Sequence, residues 1–240
     1  MSTVSTGKNT EGQHHYAHHF ESAEHEYETS KQGVWTFLAT EILMFGGLFV
    51  GYLIFHHLYP EVFRIGSTFT DWRLGATNTV VLLTSSLTMA LAIYYIQVGQ
   101  PKKAMPMLLL TIACGFCFMG IKYYEYSLKI HEGLMPGAWY TADHNPEQAQ
   151  MVLEHVHHKL PDVEKLPANL PLYFSFYFMM TGLHGIHVMI GMGLIFWIWL
   201  RMRRGEFGPE YYTAVEGVGL FWHLVDLVWI YLFPLLYLVT

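Results

Sequence analysis

Five stretches of the chain are apolar for about 20 residues or more, which is the length that an α-helix needs to cross a bilayer. Trp and Tyr residues lie near the ends of these stretches, as they do in helices that end at the membrane–water interface. The sequence therefore predicts an all-α, multi-pass membrane protein, with five transmembrane helices bundled within residues 32–240. The predicted helices are Gly33–Tyr59, Asn78–Val98, Ala104–Lys129, Leu172–Leu200 and Tyr211–Val239.

Polar segments flank these helices. Residues 1–31 form a tail that is either a weak metal- or proton-binding tract or a solvated, largely disordered arm, and its composition favours the arm. The tail histidines are His14, His15, His18, His19 and His25. The long connection 130–171 is rich in proline, and Asn145-Pro146-Glu147 predicts the start of a short surface helix that runs to Leu160.

Basic residues in the short loops predict how the chain crosses the membrane. Two loops on one side hold five of them, whereas the first short loop holds only Arg64 and Arg73. The five are Lys102, Lys103, Arg201, Arg203 and Arg204. Because basic residues concentrate in cytoplasmic loops, we expect the N-terminus in the cytoplasm, and the C-terminus and residues 130–171 in the periplasm.

The composition agrees with a membrane protein. Hydrophobic residues make up 52% of the chain and charged residues 13%, whereas a soluble domain carries about 25% charged residues. The 13 Lys and Arg residues form no stripe, so no nucleic-acid partner is expected. Cys114 and Cys117 lie inside an apolar helix without a second cysteine pair, so we interpret them as packing residues rather than as a redox or metal motif.

The last predicted helix holds Glu216, His223 and Asp226 within an apolar stretch. An ionised group inside a membrane costs from about 2.5 to well over 10 kcal/mol. His223 and Asp226 are three residues apart and share a helix face with Glu216, two turns earlier. We expect the rest of the bundle or a partner subunit to compensate these groups.

Three further polar residues lie deep in other predicted helices. Glu41, about two turns into the first helix, is expected to be protonated or hydrogen-bonded, and it is either a proton-handling or partner-contacting acid or an acid satisfied within the bundle. His184 and His187 point to one face of the fourth helix and could hold haem or a metal ion. Because further ligands are lacking, we favour imidazoles that bond to Glu41 or to backbone carbonyls.

Two polar pairs lie nearer the outer side. Lys122 and Glu125 are an i,i+3 pair in the third helix and are expected to neutralise each other. His56 and His57 close the first helix, where lipid headgroups or a partner could contact them, although we favour ordinary interfacial solvation. The sequence predicts neither a catalytic residue nor a metal site.

Four segments resemble subunit III of the haem–copper terminal oxidases, and the resemblance covers about residues 31–239. The segments are Trp35–Pro60 with Thr40-Glu41, Leu74–Ser86, Thr181–Gly191 with its histidines and glycines, and Glu216–Trp229. The chain lacks the first two helices of the larger members and is similar to the five-helix form of quinol oxidases and some bacterial cytochrome c oxidases. Its connection 130–171 is longer than expected for the family.

The resemblance implies a bacterial inner-membrane subunit that binds no cofactor except phospholipid. Such a subunit contacts oxidase subunit I and other oxidase subunits, in which haem and copper are expected, and it could join a respiratory supercomplex. It supports proton uptake and the durability of the active site. Glu41 takes the position of the family's buried carboxyl. The polar contacts between helices, lipid and subunits are implied for His184, His187, Glu216, His223 and Asp226.

The complex would reduce oxygen to water, with cytochrome c favoured as the electron donor. The alternatives within this group are subunit III of a quinol oxidase and the accessory subunit of a nitric oxide reductase. From other classes, the chain could be a di-histidine haem carrier, or a small proton or metabolite transporter that uses Glu41, Glu216 and Asp226. The absence of an inverted sequence repeat disfavours the transporter.

Overall fold

The computed structural model describes residues 23–141, 144–209 and 211–238. Four of the tail histidines, His14, His15, His18 and His19, lie outside the described residues, and only the backbone of His25 is described. The helices are α1 Ala23–Leu58, α2 Pro60–Ser67, α3 Trp72–Gln97, α4 Pro101–His131, α5 Pro146–Lys159, α6 Leu170–Arg203 and α7 Thr213–Tyr237, with a short 3-10 turn at Gly137–Trp139.

Five of these helices are long and apolar enough to cross a membrane, namely α1, α3, α4, α6 and α7. The prediction of an all-α protein with five transmembrane helices is therefore confirmed. The side of the membrane on which each end of the chain lies stays a prediction.

Several helix boundaries differ from the predicted ones. Helix α1 begins at Ala23 rather than at Gly33, so it extends into the predicted polar tail. Helix α3 begins at Trp72 rather than at Asn78, because the Asp71 side chain accepts a hydrogen bond from the backbone N–H of Arg73 and so caps the helix. Apolar length alone cannot find such polar first turns.

The prediction missed α2, which lies in the first short loop. Its eight residues start at Pro60 and bury Val62, Phe63 and Ile65. At Gly66, an added Cβ would lie 2.3 Å from the ring of Tyr173 on α6, so only glycine permits this approach. A helix this short escapes a search for membrane-spanning length, although proline at its first position is a typical start signal.

The core lies where α3, α4, α6 and α7 meet, with α1 beside α7, α2 and the edge of α6. Trp222 of α7 sits at the centre of this bundle and is fully buried. A Cβ at Gly191 would lie 2.7 Å from Trp222, and one at Gly115 would lie 2.7 Å from the sulfur of Met192. These two glycines allow α4, α6 and α7 to approach closely around the indole.

The connection between α4 and α6 covers one end of the bundle. Its helix α5 begins as predicted, because the Asn145 side chain accepts a hydrogen bond from the N–H of Glu147 at 3.1 Å. The buried side chains of Val152 and Val156 hold α5 against the rest of the protein. This end also contains α2, so the two short helices form one cap.

Candidate functional site

A cluster of three charged side chains lies inside the bundle near the capped end. The Lys122 ammonium donates to Glu125 at 2.9 Å, to the hydroxyl of Tyr177 at 3.0 Å and to that of Tyr237 at 2.9 Å. Lys129 also donates to Glu125, at 3.2 Å. The Tyr237 hydroxyl donates to the same carboxylate at 2.8–2.9 Å.

This cluster extends the predicted pair of Lys122 and Glu125. Lys129 was predicted only to end a helix, yet its side chain is 3% exposed and belongs to the cluster. Its ammonium also lies 4.6 Å from the centre of the Tyr177 ring, which stabilises a cation. Because the bonded groups come from α4, α6 and α7, the cluster ties three helices together at one level.

A second polar contact joins α1 to α6. The His187 imidazole lies 2.8 Å from Glu41 through Nε2 and 2.7 Å from the carbonyl of Leu183 through Nδ1. Because a carbonyl only accepts, Nδ1 carries a hydrogen and donates to Leu183. For the Nε2–Glu41 contact to be a hydrogen bond, one of the two groups must supply a hydrogen, which either an imidazole N–H or a carboxyl O–H can do.

His184 has different surroundings from His187. Its imidazole is fully buried between the rings of Phe118 and Trp229, with ring centres 5.4 and 5.3 Å away. Neither ring nitrogen has a hydrogen-bond partner among the residues that the structure describes. The prediction that His184 bonds to Glu41 or to a backbone carbonyl is therefore wrong, and the two imidazoles do not form a shared site.

The three polar residues of α7 also differ from one another in their surroundings. His223 Nδ1 lies 2.7 Å from the hydroxyl of Ser86 on α3. Asp226 is buried, and within the described part of the chain neither of its carboxyl oxygens accepts a hydrogen bond. Glu216 lies half-buried in the first turn of the helix. Among the residues described, no three metal-binding side chains come together.

The histidines that end α1 differ in exposure. His56 stacks on Tyr52 with ring centres 6.1 Å apart and meets Phe63 edge-on at 5.3 Å. His57 is exposed. The interpretation of simple interfacial solvation thus fits His57, whereas His56 packs against the aromatic contact between α1 and α2.

The cap is fixed to the bundle by polar contacts that the sequence did not predict. His155 of α5 stacks on Phe69 with ring centres 4.5 Å apart, and its Nε2 lies 3.2 Å from the carbonyl of Thr68, to which Lys159 also donates. Arg64 donates to both carboxylate oxygens of Asp162 at 2.9 and 3.1 Å. The hydrogen bond from Arg64 holds the pKa of Asp162 below its usual value.

These features define a class of protein. It is a five-span helical membrane protein whose buried polar groups mostly connect its own helices. Residues 9–143 and 168–240 match the family model described as cytochrome c oxidase subunit III. The chain therefore belongs to the subunit III family of the haem–copper oxidases, as the sequence resemblance indicated.

Curated relatives cover nearly the whole chain. It is 28% identical over 221 residues to a protein named "Probable quinol oxidase subunit 3" of Staphylococcus haemolyticus, covering 91% of this chain and 93% of that one. It is 26% identical to the protein of the same name in Staphylococcus saprophyticus and 27% in Staphylococcus aureus, over 94% of this chain and 96% of each relative. The family match omits residues 144–167, which include α5.

Proposed function

We propose that the protein is the non-redox subunit III of a haem–copper terminal oxidase in a bacterial inner membrane. It binds directly to subunit I, contacts other oxidase subunits and phospholipid, and supports proton uptake while its partner reduces oxygen to water. The family match over most of the chain carries this proposal. The bacterial relatives named as oxidase subunits support it.

The contact between Glu41 and His187 is the best candidate for a supporting role in proton uptake. The side chain of Glu41 is 14% exposed and that of His187 is 12% exposed, so both lie at the edge of the bundle rather than in its core. Helix α1 is also the least buried of the five spans. In its most apolar stretch 17% of the residues are buried by the rest of the chain, compared with 33–50% in the other four spans. Lipid or another subunit can therefore approach this pair from the membrane.

Replacing Glu41 with glutamine tests this role. Glutamine keeps the size of the side chain and can still bond to His187, but it cannot exchange a proton. We expect normal assembly with altered proton uptake, or with activity that is lost in fewer turnovers, measured as oxygen consumption by the purified complex. Thr40→Val on the exposed side of the same helix is the control. Unchanged rate, proton uptake and endurance in the Glu41 variant would make Glu41 a packing residue only.

The electron donor is the finer part of the proposal. We favour cytochrome c, the donor in the description of the family model, while the names of the staphylococcal relatives favour a quinol as the second candidate. Oxygen consumption by the purified complex separates the two. Turnover with reduced cytochrome c that stays low with quinol supports the first, and the reverse result establishes the second.

A further inference from the structure

Three polar side chains in the core between α3, α4, α6 and α7 lack a hydrogen-bond partner among the described residues. They are the amide of Asn78, the imidazole of His184 and the carboxyl of Asp226, which are 0%, 0% and 3% exposed. Folded proteins leave few buried polar groups unpaired, because each unpaired group costs about 1–3 kcal/mol. Three such groups in one bundle therefore point to a ligand that satisfies them.

Trp229 contacts one of the three groups, and the other two lie close in sequence to Trp229 itself or to its hydrogen-bond partner. The ring centre of Trp229 is 5.3 Å from that of His184. The Trp229 Nε1 donates at 3.1 Å to Thr79, the residue that follows Asn78. Asp226 precedes Trp229 by three residues on α7, which is about one helical turn. The three groups thus occupy neighbouring levels of the same core.

Asn78 faces this core rather than the lipid. It lies between Gly75 and Ser85 on one buried face of α3, at spacings of three and seven residues. A Cβ at Gly75 would meet the ring of Phe233 on α7 at 2.7 Å, and Ser85 accepts a hydrogen bond from Trp222 of α7 at 3.1 Å. Asn78 is held between these two contacts with α7.

Two hydroxyl groups of α3 compete for partners beside Asp226. Ser85 and Ser86 are close enough to the carboxyl to act as hydrogen-bond donors to it. Ser85 donates instead to the carbonyl of Leu82 at 2.7 Å, and Ser86 is bonded to His223 at 2.7 Å. While the two hydroxyls donate to these other groups, the Asp226 oxygens are left without a donor among the described residues.

The column of polar groups reaches the charged cluster at the capped end. Lys122 Nζ lies 5.3 Å from the centre of the Trp229 ring. On α4, Cys114 is near enough to Asp226 to interact with it electrostatically. Lys122 follows Cys114 by eight residues, or about 12 Å along the helix. The charged cluster and the region of Asp226 are therefore about 12 Å apart along α4, with Trp229 in contact with Lys122.

We propose that Asn78, His184 and Asp226 bind a file of internal water molecules, which we call the buried water file, between α3, α4, α6 and α7. An amide, an imidazole and a carboxyl together need both hydrogen-bond donors and hydrogen-bond acceptors as partners. Water fits these groups because it can act as either. Buried waters typically make about three hydrogen bonds to polar groups that the protein leaves unpaired. The file joins the centre of the bundle to the Lys122–Glu125 pair. The proposal does not depend on the identity of the oxidase or its donor.

A cryo-EM map tests the proposal directly. The protein is purified from its native membrane with its partners, and the map must resolve ordered water elsewhere in the core. We expect water density at about 3 Å from the Asp226 oxygens, the Asn78 amide and the His184 nitrogens. A map in which these atoms contact protein atoms alone would overturn the proposal.

A matched pair of variants gives an independent test, because the proposal and its alternative predict opposite changes in the free energy of unfolding. Asn78→Leu replaces the amide with an apolar group of similar size. If water links Asn78 to its neighbours, the change leaves them unpaired and shifts the unfolding equilibrium about tenfold towards the unfolded protein. In a dry core, removal of an unpaired amide stabilises the protein instead, and that result would contradict the water file. Thr84→Val on the exposed side of α3 is the control, with no expected shift.

Discussion

Replacement of Glu125 with glutamine leaves two buried ammonium groups without a counter-charge. The side chains of Lys122, Lys129 and Glu125 are 6%, 3% and 4% exposed, so bulk solvent cannot take the place of the lost carboxylate. Glutamine keeps the shape of the side chain and can still accept from one lysine or from Tyr237. The variant thus removes the negative charge and turns one of the two acceptor oxygens into a donor nitrogen, which faces a lysine ammonium.

The structure sets the expected size of this effect. Breaking a buried ion pair by removal of one partner costs about 3–5 kcal/mol, and here one carboxylate serves two cations. We therefore expect Glu125→Gln to destabilise the protein by at least about 3 kcal/mol, a factor of more than about 100 in the unfolding equilibrium. Lys129→Met, which leaves a balanced pair of Lys122 and Glu125, is expected to cost about 1 kcal/mol or less.

Unfolding by SDS in mixed micelles, followed by tryptophan fluorescence, measures both effects. Glu61→Gln on the exposed side of α2 controls for the loss of an acid far from the cluster. If Glu125→Gln unfolds at the same SDS fraction as Glu61→Gln, the buried carboxylate does not stabilise the protein as expected. If Lys129→Met is the more damaging of the two cluster variants, the excess positive charge left by Glu125→Gln is not what destabilises the bundle.

Three further predictions concern packing, capping and the outer cap. Gly191→Val meets a tryptophan ring and should cost about 1–3 kcal/mol in the same titration, whereas Gly193→Val points into open space and should not. Asn145→Ala removes the cap of α5 and should speed amide exchange in its first turn, by a local loss of about 1 kcal/mol. Arg64→Gln should increase protease cleavage of residues 160–167 at neutral pH. Because the Asp162 pKa is lowered in the folded protein, this stabilisation is present above its ordinary pKa and disappears as the pH falls through the lowered value, so variant and parent should converge in acid.

The sequence predicted the membrane spans because apolar length is a local property of the chain. The same property says nothing about α2, whose eight residues bury only one face, or about the polar first turns of α1 and α3. In these places capping groups and contacts with other helices decide the structure. Asp71 and Pro60 were the available signals.

The candidate sites were predictable only where both partners lie close in sequence. Lys122 and Glu125 are three residues apart and could be paired from spacing alone. The hydroxyls that complete their cluster belong to Tyr177 and Tyr237, which are 55 and 115 residues from Lys122. Similarly, spacing suggested a common role for two histidines of α6, but the neighbouring helices gave each of them different surroundings.

We propose that this polypeptide braces a redox-active partner and carries no redox centre itself. Purification of the chain from its native membrane in mild detergent tests this claim, with haem and metal assigned to each subunit after separation. We expect a haem- and copper-containing subunit to co-purify with a colourless chain. A colourless homo-oligomer that moves protons without a partner, or iron or copper bound by this chain's own side chains, would contradict the account.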